Sequence, residues 1–275
     1  VKKTAWIFSG GAARTVYVAG GIYALAKSNL PKPDIIIAGS GSAGTSLCYI
    51  TGQHEVIKKV WCEDLFTRKF INFWRFWKIV DIDYLIDTIL YNNNPLNIDA
   101  IKNSDIEIYF PATDSKTGKI KYFHNHDIED MAQVLKAVKS SPFFTNLFSI
   151  KGKKIDNKYY SDSIISSRYQ FHIKKALAEG AERIIVLDSY HHNDKYNKYF
   201  FSKLYARIRN KEFKKNQLTY IKEIENFTKP YNIEFIKISP RKKLGISLFG
   251  ASKEEGIKIF NKGYKETIKK LKKSL

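Results

Sequence analysis

The sequence predicts an α/β chain, a three-layer α/β/α sandwich with a mostly parallel central sheet, followed by a helical C-terminal extension. Three observations carry this. Residues 35–38 form an uninterrupted apolar run, rich in β-branched side chains, between the Pro31/Pro33 punctuation and a glycine cluster, the pattern of a strand buried on both faces. Residues 4–8 form a second apolar run that breaks at Gly10-Gly11 and opens onto helical periodicity. Residues 184–187, Ile-Ile-Val-Leu, form a further short apolar run with the pattern of a strand.

The first strand ends in Ser9-Gly10-Gly11-Ala12-Ala13-Arg14, and residues 16–27 follow as a helix with Val16, Ala19, Tyr23 and Ala24 on one side. A glycine pair between strand and helix exposes backbone N–H groups with no intrahelical partner, suited to a phosphate or a developing oxyanion, with the Arg14 guanidinium close by.

The second strand runs into Gly39-Ser40-Gly41-Ser42-Ala43-Gly44, and a helix begins near Thr45. Three readings fit this turn. Gly39-x-Gly41-x-x-Gly44 satisfies a dinucleotide fingerprint, but residues 55–80 carry aromatics at helical spacing where a second strand with an acidic end is required. A nucleophile elbow centred on Ser42 needs very small residues two before and two after, here Ser40 and Gly44. A purely structural turn satisfies the same residues. Neighbouring parallel strands would bring the Gly10/Gly11 amides and the Ser42 hydroxyl to one sheet edge, the geometry of acyl transfer. Only one strand precedes the elbow, where an ordinary α/β-hydrolase would place several, so that fold is not the expected one.

Composition bounds the function. The 275 residues, 44% hydrophobic and 14% aromatic, suffice for a large core. Cys48 and Cys62 read as reduced core thiols, without disulfide or metal-site spacing. No apolar run reaches the ~18 residues of a spanning helix and no signal-peptide pattern is present, so a cytoplasmic protein, at most peripheral to a membrane, is expected. The net charge of +20 points to an anionic partner, and it is equally what a Lys-rich solvated surface gives. No helix-turn-helix, RNP or finger pattern supports nucleic acid.

Taken together, Phe8-Ser-Gly-Gly-Ala-Ala-Arg14, Ser40-Gly-Ser42-Ala-Gly44 and Tyr49-Ile-Thr-Gly-Gln53 resemble the bacterial patatin-like phospholipases, lipid acyl hydrolases with a Ser–Asp dyad. Two further blocks match in order. Ser140-Ser141-Pro142-Phe143-Phe144 resembles the family's Ala-Ser-x-x-x-Pro, and Ser161-Asp162-Ser163-Ile164 stands where the family has Asp-Gly-Gly. Residues 207–226, 233–240 and 256–271 resemble the C-terminal extension of one bacterial branch, so the resemblance spans nearly the whole chain. It implies a catalytic domain over 1–190 and an extension over 191–275 packed on it. It also implies Ser42 as nucleophile, Asp162 as base, an oxyanion hole from the N–H groups of Gly10, Gly11 and Ala12, and Arg14 as a loop or lipid-phosphate contact. No cofactor or metal is implied; the partners are a lipid ester and an anionic membrane surface. Ala12, Thr15, Ser40, Ser163 and Ile164 depart from the family pattern, and the alternative they raise is a catalytically silent lipid- or anion-binding relative.

Two other stretches stand out. Residues 106–113 and 119–123 predict a hairpin ending in His124-x-His126, read as a solvated hairpin end because no third metal ligand is evident. Residues 66–77 place Phe66, Phe70, Phe73/Trp74 and Trp77 on one face of an expected helix beside Arg68, Lys69, Arg75 and Lys78. That face suits a lid, a lipid contact or a core helix. Residues 199–227 predict one long helix, 233–238 a strand, and 253–275 a basic terminal helix.

Overall fold

A computed structural model describes residues 2–75, 77–141, 152–162, 168–191, 200–246 and 252–274. The order is β1 (Thr4–Phe8), α1 (Thr15–Ala26), β2 (Ile35–Ala38), α2 (Ser42–Ile50), α3 (His54–Lys59), α4 (Ile98–Lys102), β3 (Glu107–Asp114), β4 (Ile120–His124), α5 (Met131–Lys139), β5 (Lys153–Ile155), β6 (Lys158–Ser161), α6 (Tyr169–Ala178), β7 (Arg183–Leu187), α7 (Phe200–Arg207), α8 (Lys211–Glu225), β8 (Glu234–Ile238) and α9 (Lys253–Ser274). π-helical turns cover Val60–Asp64 and Tyr84–Asn93.

The sheet runs β5-β6-β3-β2-β1-β7-β8, with β4 also on β3. Strands β3, β2, β1, β7 and β8 are parallel, and β4 and β6 pair antiparallel with β3. Because side chains alternate along a strand, β1 and β2 feed two cores. Trp6, Phe8, Ile36 and Ala38 join α1, α2 and α5 on one face, while Ala5, Ile7, Ile35 and Ile37 meet Tyr169, Ile173 and Ala176 of α6 on the other. Burial on both faces is what the uninterrupted apolar runs require. β1 sits at the switch point between β2 and β7, so the loops after β1, β2 and β7 share one edge, where open α/β sheets bind ligands.

The C-terminal part joins the same body. β8 is in register with β7 from Arg183↔Glu234 to Leu187↔Ile238, and α9 crosses α1 with backbones touching. A Cβ on Gly20 would stand 2.0 Å from the Phe260 carbonyl oxygen, and one on Gly263 2.0 Å from that of Tyr17.

Two expectations need correction. The described residues of 66–77 are not helical. They form a turn-rich loop closed by the antiparallel bridge Ile71↔Val80 and by Asn72 N–H donating to the Ile79 carbonyl at 2.9 Å. The Asn72 side chain accepts from Trp74 N–H (2.9 Å), an Asx turn that competes with helix in a segment of aromatics with middling helix propensity. The helix expected over 199–227 is two helices. Asn210 interrupts it by capping α8, its Oδ1 accepting from Phe213 N–H at 2.9 Å.

Candidate active site

The turn after β2 is built around Ser40. Its φ of +48° puts a non-glycine residue in the left-handed region, a strained placement that persists only where its surroundings hold it. Those surroundings are specific. Gly39 N–H donates to the Phe8 carbonyl (3.0 Å), fastening the elbow to the end of β1. A Cβ on Gly41 would meet Thr15 Oγ1 at 2.6 Å, so the elbow lies directly on the first residue of α1. Thr15, where the patatin-like pattern has glycine, fills the space that Gly41 leaves.

Ser40 Oγ donates to Asp162 Oδ2 at 2.6 Å, a short charge-assisted bond across 122 residues of chain. Asp162 is delivered by the end of β6, and its N–H donates to the Ser140 carbonyl at 2.9 Å, so the Ser140-Ser141 and Asp162 blocks meet. Its Oδ1 is enclosed with no donor among the described residues. Enclosure lifts the carboxyl from its ordinary 3.8 to about 7, although the Ser40 hydroxyl and the nearby Lys139 charge pull it back.

The Ser42 expectation does not match this geometry. Ser42 is fully buried as the first residue of α2, and its Oγ donates to the carbonyls of Gly39 (2.8 Å) and Phe8 (3.0 Å) rather than to Asp162. It is a clamp between elbow and β1. The physical reason is register. β2 ends at Ala38, and a residue exposed by a sharp strand-to-helix turn must come before the helix closes its first hydrogen bonds, which Ser42 N–H and Ala43 N–H make to Gly39 and Ser40.

Lys139, the last residue of α5, was not singled out from sequence. It is buried, and its Nζ donates to the Ser40 carbonyl (2.8 Å) and the Gly41 carbonyl (3.1 Å). Burial lowers its pKa from 10.5 to about 8, against the opposing pull of Asp162. A lysine ending an otherwise apolar helix face, just before Ser140-Ser141-Pro142, was the only available signal.

The glycine loop after β1 is braced from β7. Ser189 Oγ donates to the Gly10 carbonyl (2.6 Å), Ser189 N–H to Ser9 Oγ (2.8 Å), and Ser9 Oγ to Asp188 Oδ1 (3.1 Å). Asp188 is in turn paired with Lys237 at 3.0 Å. A Cβ on Gly11 would stand 2.4 Å from Ser189 Oγ, so this close approach admits only glycine. In a trans peptide the N–H points opposite to the carbonyl; with Gly10 O directed at Ser189, Gly11 N–H faces away from that brace. Likewise Gly11 O accepts from Arg14 N–H (3.0 Å), turning Ala12 N–H the other way. Ala12 has φ +51°, so the departure from glycine is accommodated in left-handed backbone. The Arg14 guanidinium lies 5.5 Å from the Tyr190 ring, on whose face Arg168 stacks at 3.8 Å.

His124 and His126 are otherwise engaged. His124 stacks on Tyr109, and His126 Nδ1 meets the Lys102 carbonyl at 2.7 Å. Ser163, Ile164 and residues 142–144 lie outside the described residues.

No protein-family model matches the sequence, and no curated protein matches it. Among solved structures, the crystal structure of VipD from Legionella pneumophila is similar over 99% of this chain and 67% of that one, with a TM-score of 0.54 and 11% sequence identity. The fold is patatin-like. At this identity the likeness speaks for the fold alone, and the chemistry is argued from the residues above.

Proposed function

We propose that this chain is a serine lipid acyl hydrolase working through a Ser40–Asp162 dyad. The observation that carries the reading is the 2.6 Å bond from Ser40 Oγ to Asp162 Oδ2 at a strained elbow at the carboxyl edge of the sheet. Ser40 Oγ attacks the ester carbonyl as Asp162 Oδ2 takes its proton; the proton then passes to the leaving alcohol as the acyl–oxygen bond breaks. Water hydrolyses the acyl-enzyme with Asp162 again as base. Carboxylates are weak bases, and a pKa of about 7 brings Asp162 into the range where general-base catalysis works at neutral pH. The oxyanion is assigned to N–H groups of Gly10, Gly11 and Ala12, each well-placed donor contributing roughly 3 kcal/mol. Arg14 is the candidate contact for a lipid phosphate. A lipid as the acyl donor rests on the resemblance to patatin-like phospholipases and on the basic surface.

A second reading, a silent lipid- or anion-binding relative, is favoured by one feature. Ala12 occupies left-handed backbone in the loop assigned to the oxyanion, and such strain resists adjustment during reaction.

Hydrolysis of a p-nitrophenyl acyl ester by wild type, Ser40→Ala, Asp162→Asn and Ser42→Ala tests the reading. Ser40→Ala and Asp162→Asn are expected to lose at least about 10³-fold in kcat/KM. Ser42→Ala, which removes a clamp and no reacting group, keeps turnover within about tenfold. Absence of turnover in wild type would favour the silent relative.

A further inference from the structure

The loop spanning residues 65–83 sorts its aromatics in a way no helix would. Phe70 is buried in the core, and Phe66 lies against Gly256 at the start of α9, where an added Cβ would stand 2.1 Å from the Phe66 ring. Phe73, Trp74 and Trp77 are left 63%, 89% and 48% exposed at the turn. Exposed apolar groups this large, gathered within five residues, are unusual on a surface otherwise dominated by lysine.

The tip is held out on a built stem. The Arg75 guanidinium bonds the carbonyl of Lys69 (2.9 Å) and the carboxylate of Asp81 (3.1 Å), and Asp81 N–H donates to the Phe70 carbonyl (2.8 Å). Lys78 bridges Asp81 and Asp83 at 2.8 and 2.9 Å. Arg75 and Lys78 are thus ion-paired within the stem, whereas Arg68 and Lys69 are exposed and have no acidic partner among the described residues.

We propose that Phe73, Trp74 and Trp77 form a docking tip that enters the headgroup–acyl boundary of an anionic bilayer, with Arg68 and Lys69 meeting its phosphates. Tryptophan combines a broad apolar body with one polar N–H, which suits that boundary. Size argues against a protein partner. Partly exposed as they are, the three side chains present at most about 450–750 Å² at 150–250 Å² each, below the roughly 800 Å² that each partner of a standard protein interface buries. Charge argues for lipid, since a chain of net charge +20 is drawn to an acidic leaflet.

The stem also joins the elements that carry the dyad. Asp83 pairs with Lys153 of β5 (2.9 Å), whose register partner Tyr160 lies two residues before Asp162. Lys136 of α5, one helical turn before Lys139, stands 3.9 Å from Asp83 as well. Docking rests on this loop alone; its use in presenting a lipid ester to Ser40 rests on the hydrolase reading.

The test uses the full chain with phosphatidylcholine vesicles, with and without phosphatidylglycerol, read by co-sedimentation and by tryptophan emission. Wild type is expected to bind the anionic vesicles with a blue shift. Phe73→Ser/Trp74→Ser/Trp77→Ser is expected to bind at least about tenfold more weakly, and the single change Trp74→Ser, at a site too exposed to affect folding, measurably more weakly. Turnover of a soluble p-nitrophenyl ester should be the same in all three proteins. Tip-independent binding, or no binding of wild type to anionic vesicles, would overturn the proposal. So would self-association in sedimentation velocity that the tip substitutions abolish while vesicle binding is unchanged, which would mark a protein interface. Tip-dependent binding without ester turnover supports docking and removes the hydrolase reading; turnover with tip-independent binding does the reverse.

Discussion

Lys139 and Asp162 are two charges in a place where neither is comfortable. Burial displaces both toward their neutral forms, the carboxyl up to about 7 and the ammonium down to about 8. Both shifts cost stability while the groups are ionised. A carboxyl with a raised folded pKa loses stability as pH climbs from about 4 to 7, and an ammonium with a lowered one recovers it only above pH 8. Replacing the pair by Lys139→Met/Asp162→Asn is therefore expected to raise the thermal midpoint by about 5 °C at pH 7–8. The gain should shrink toward pH 4 and toward pH 10.5, and differential scanning calorimetry across that range checks it. The single change Lys139→Met separates positioning from charge. Without the cation Asp162 becomes harder to ionise, so the acid limb of the kcat/KM profile, expected near pH 7 in wild type, moves to higher pH. The two lost bonds to the Ser40 and Gly41 carbonyls also lower the plateau. Lys139→Arg, which keeps the charge, should leave the limb nearer its wild-type position.

The helix pair α1/α9 shows how far an element can depend on single missing methyl groups. Glycines at 20 and 263 let the two backbones touch through each other's carbonyls. Gly263→Ala is expected to cost at least about 1–3 kcal/mol, because neither carbonyl can give way as a flexible side chain would; chemical denaturation measures it. Elements of this kind were unevenly legible in the sequence. The hairpin of β3 and β4 was readable because apolar alternation flanks Asp114-Ser-Lys-Thr-Gly118, and Gly118 takes the positive φ of +74° that its turn needs. The loop at 66–77 was misread because aromatics recurring every three or four residues mimic an amphipathic helix. The signals that overrule the period are side-chain bonds of Asn72 and Arg75 to the backbone, which no hydrophobic pattern encodes. The elbow was legible, and the residue within it that takes left-handed backbone and meets Asp162 is Ser40, two positions before the expected Ser42. Ala38-Gly-Ser40-Gly-Ser42 and Ser40-Gly-Ser42-Ala-Gly44 overlap as equally small frames, and only the backbone angle at Ser40, with the position of Asp162, distinguishes them.

Across the whole molecule, the parallel core strands and the order of their glycine loops were legible because burial on both faces leaves continuous apolar runs. The strand expected at 233–238 within the C-terminal extension is β8, which extends the parallel array beyond β7, and Lys237 on it braces Asp188. That brace reaches the loop assigned to the oxyanion through Ser9, so Lys237→Met is expected to lower kcat/KM by roughly tenfold with a smaller effect on folding; steady-state kinetics beside a thermal melt checks it. The charge of +20 acts at this scale as well. Vesicle binding should weaken as salt rises, because screening removes the long-range attraction while leaving the apolar tip unaffected.

Ser40 and Ser42 stand two positions apart in the elbow, and the proposed chemistry belongs to Ser40 alone. Labelling the folded chain with a fluorophosphonate, digesting it and locating the adduct by mass spectrometry decides between two residues two positions apart. An adduct on Ser40, lost in both Ser40→Ala and Asp162→Asn and retained in Ser42→Ala, is the predicted result. An adduct on Ser42, or labelling that survives Ser40→Ala, would contradict it.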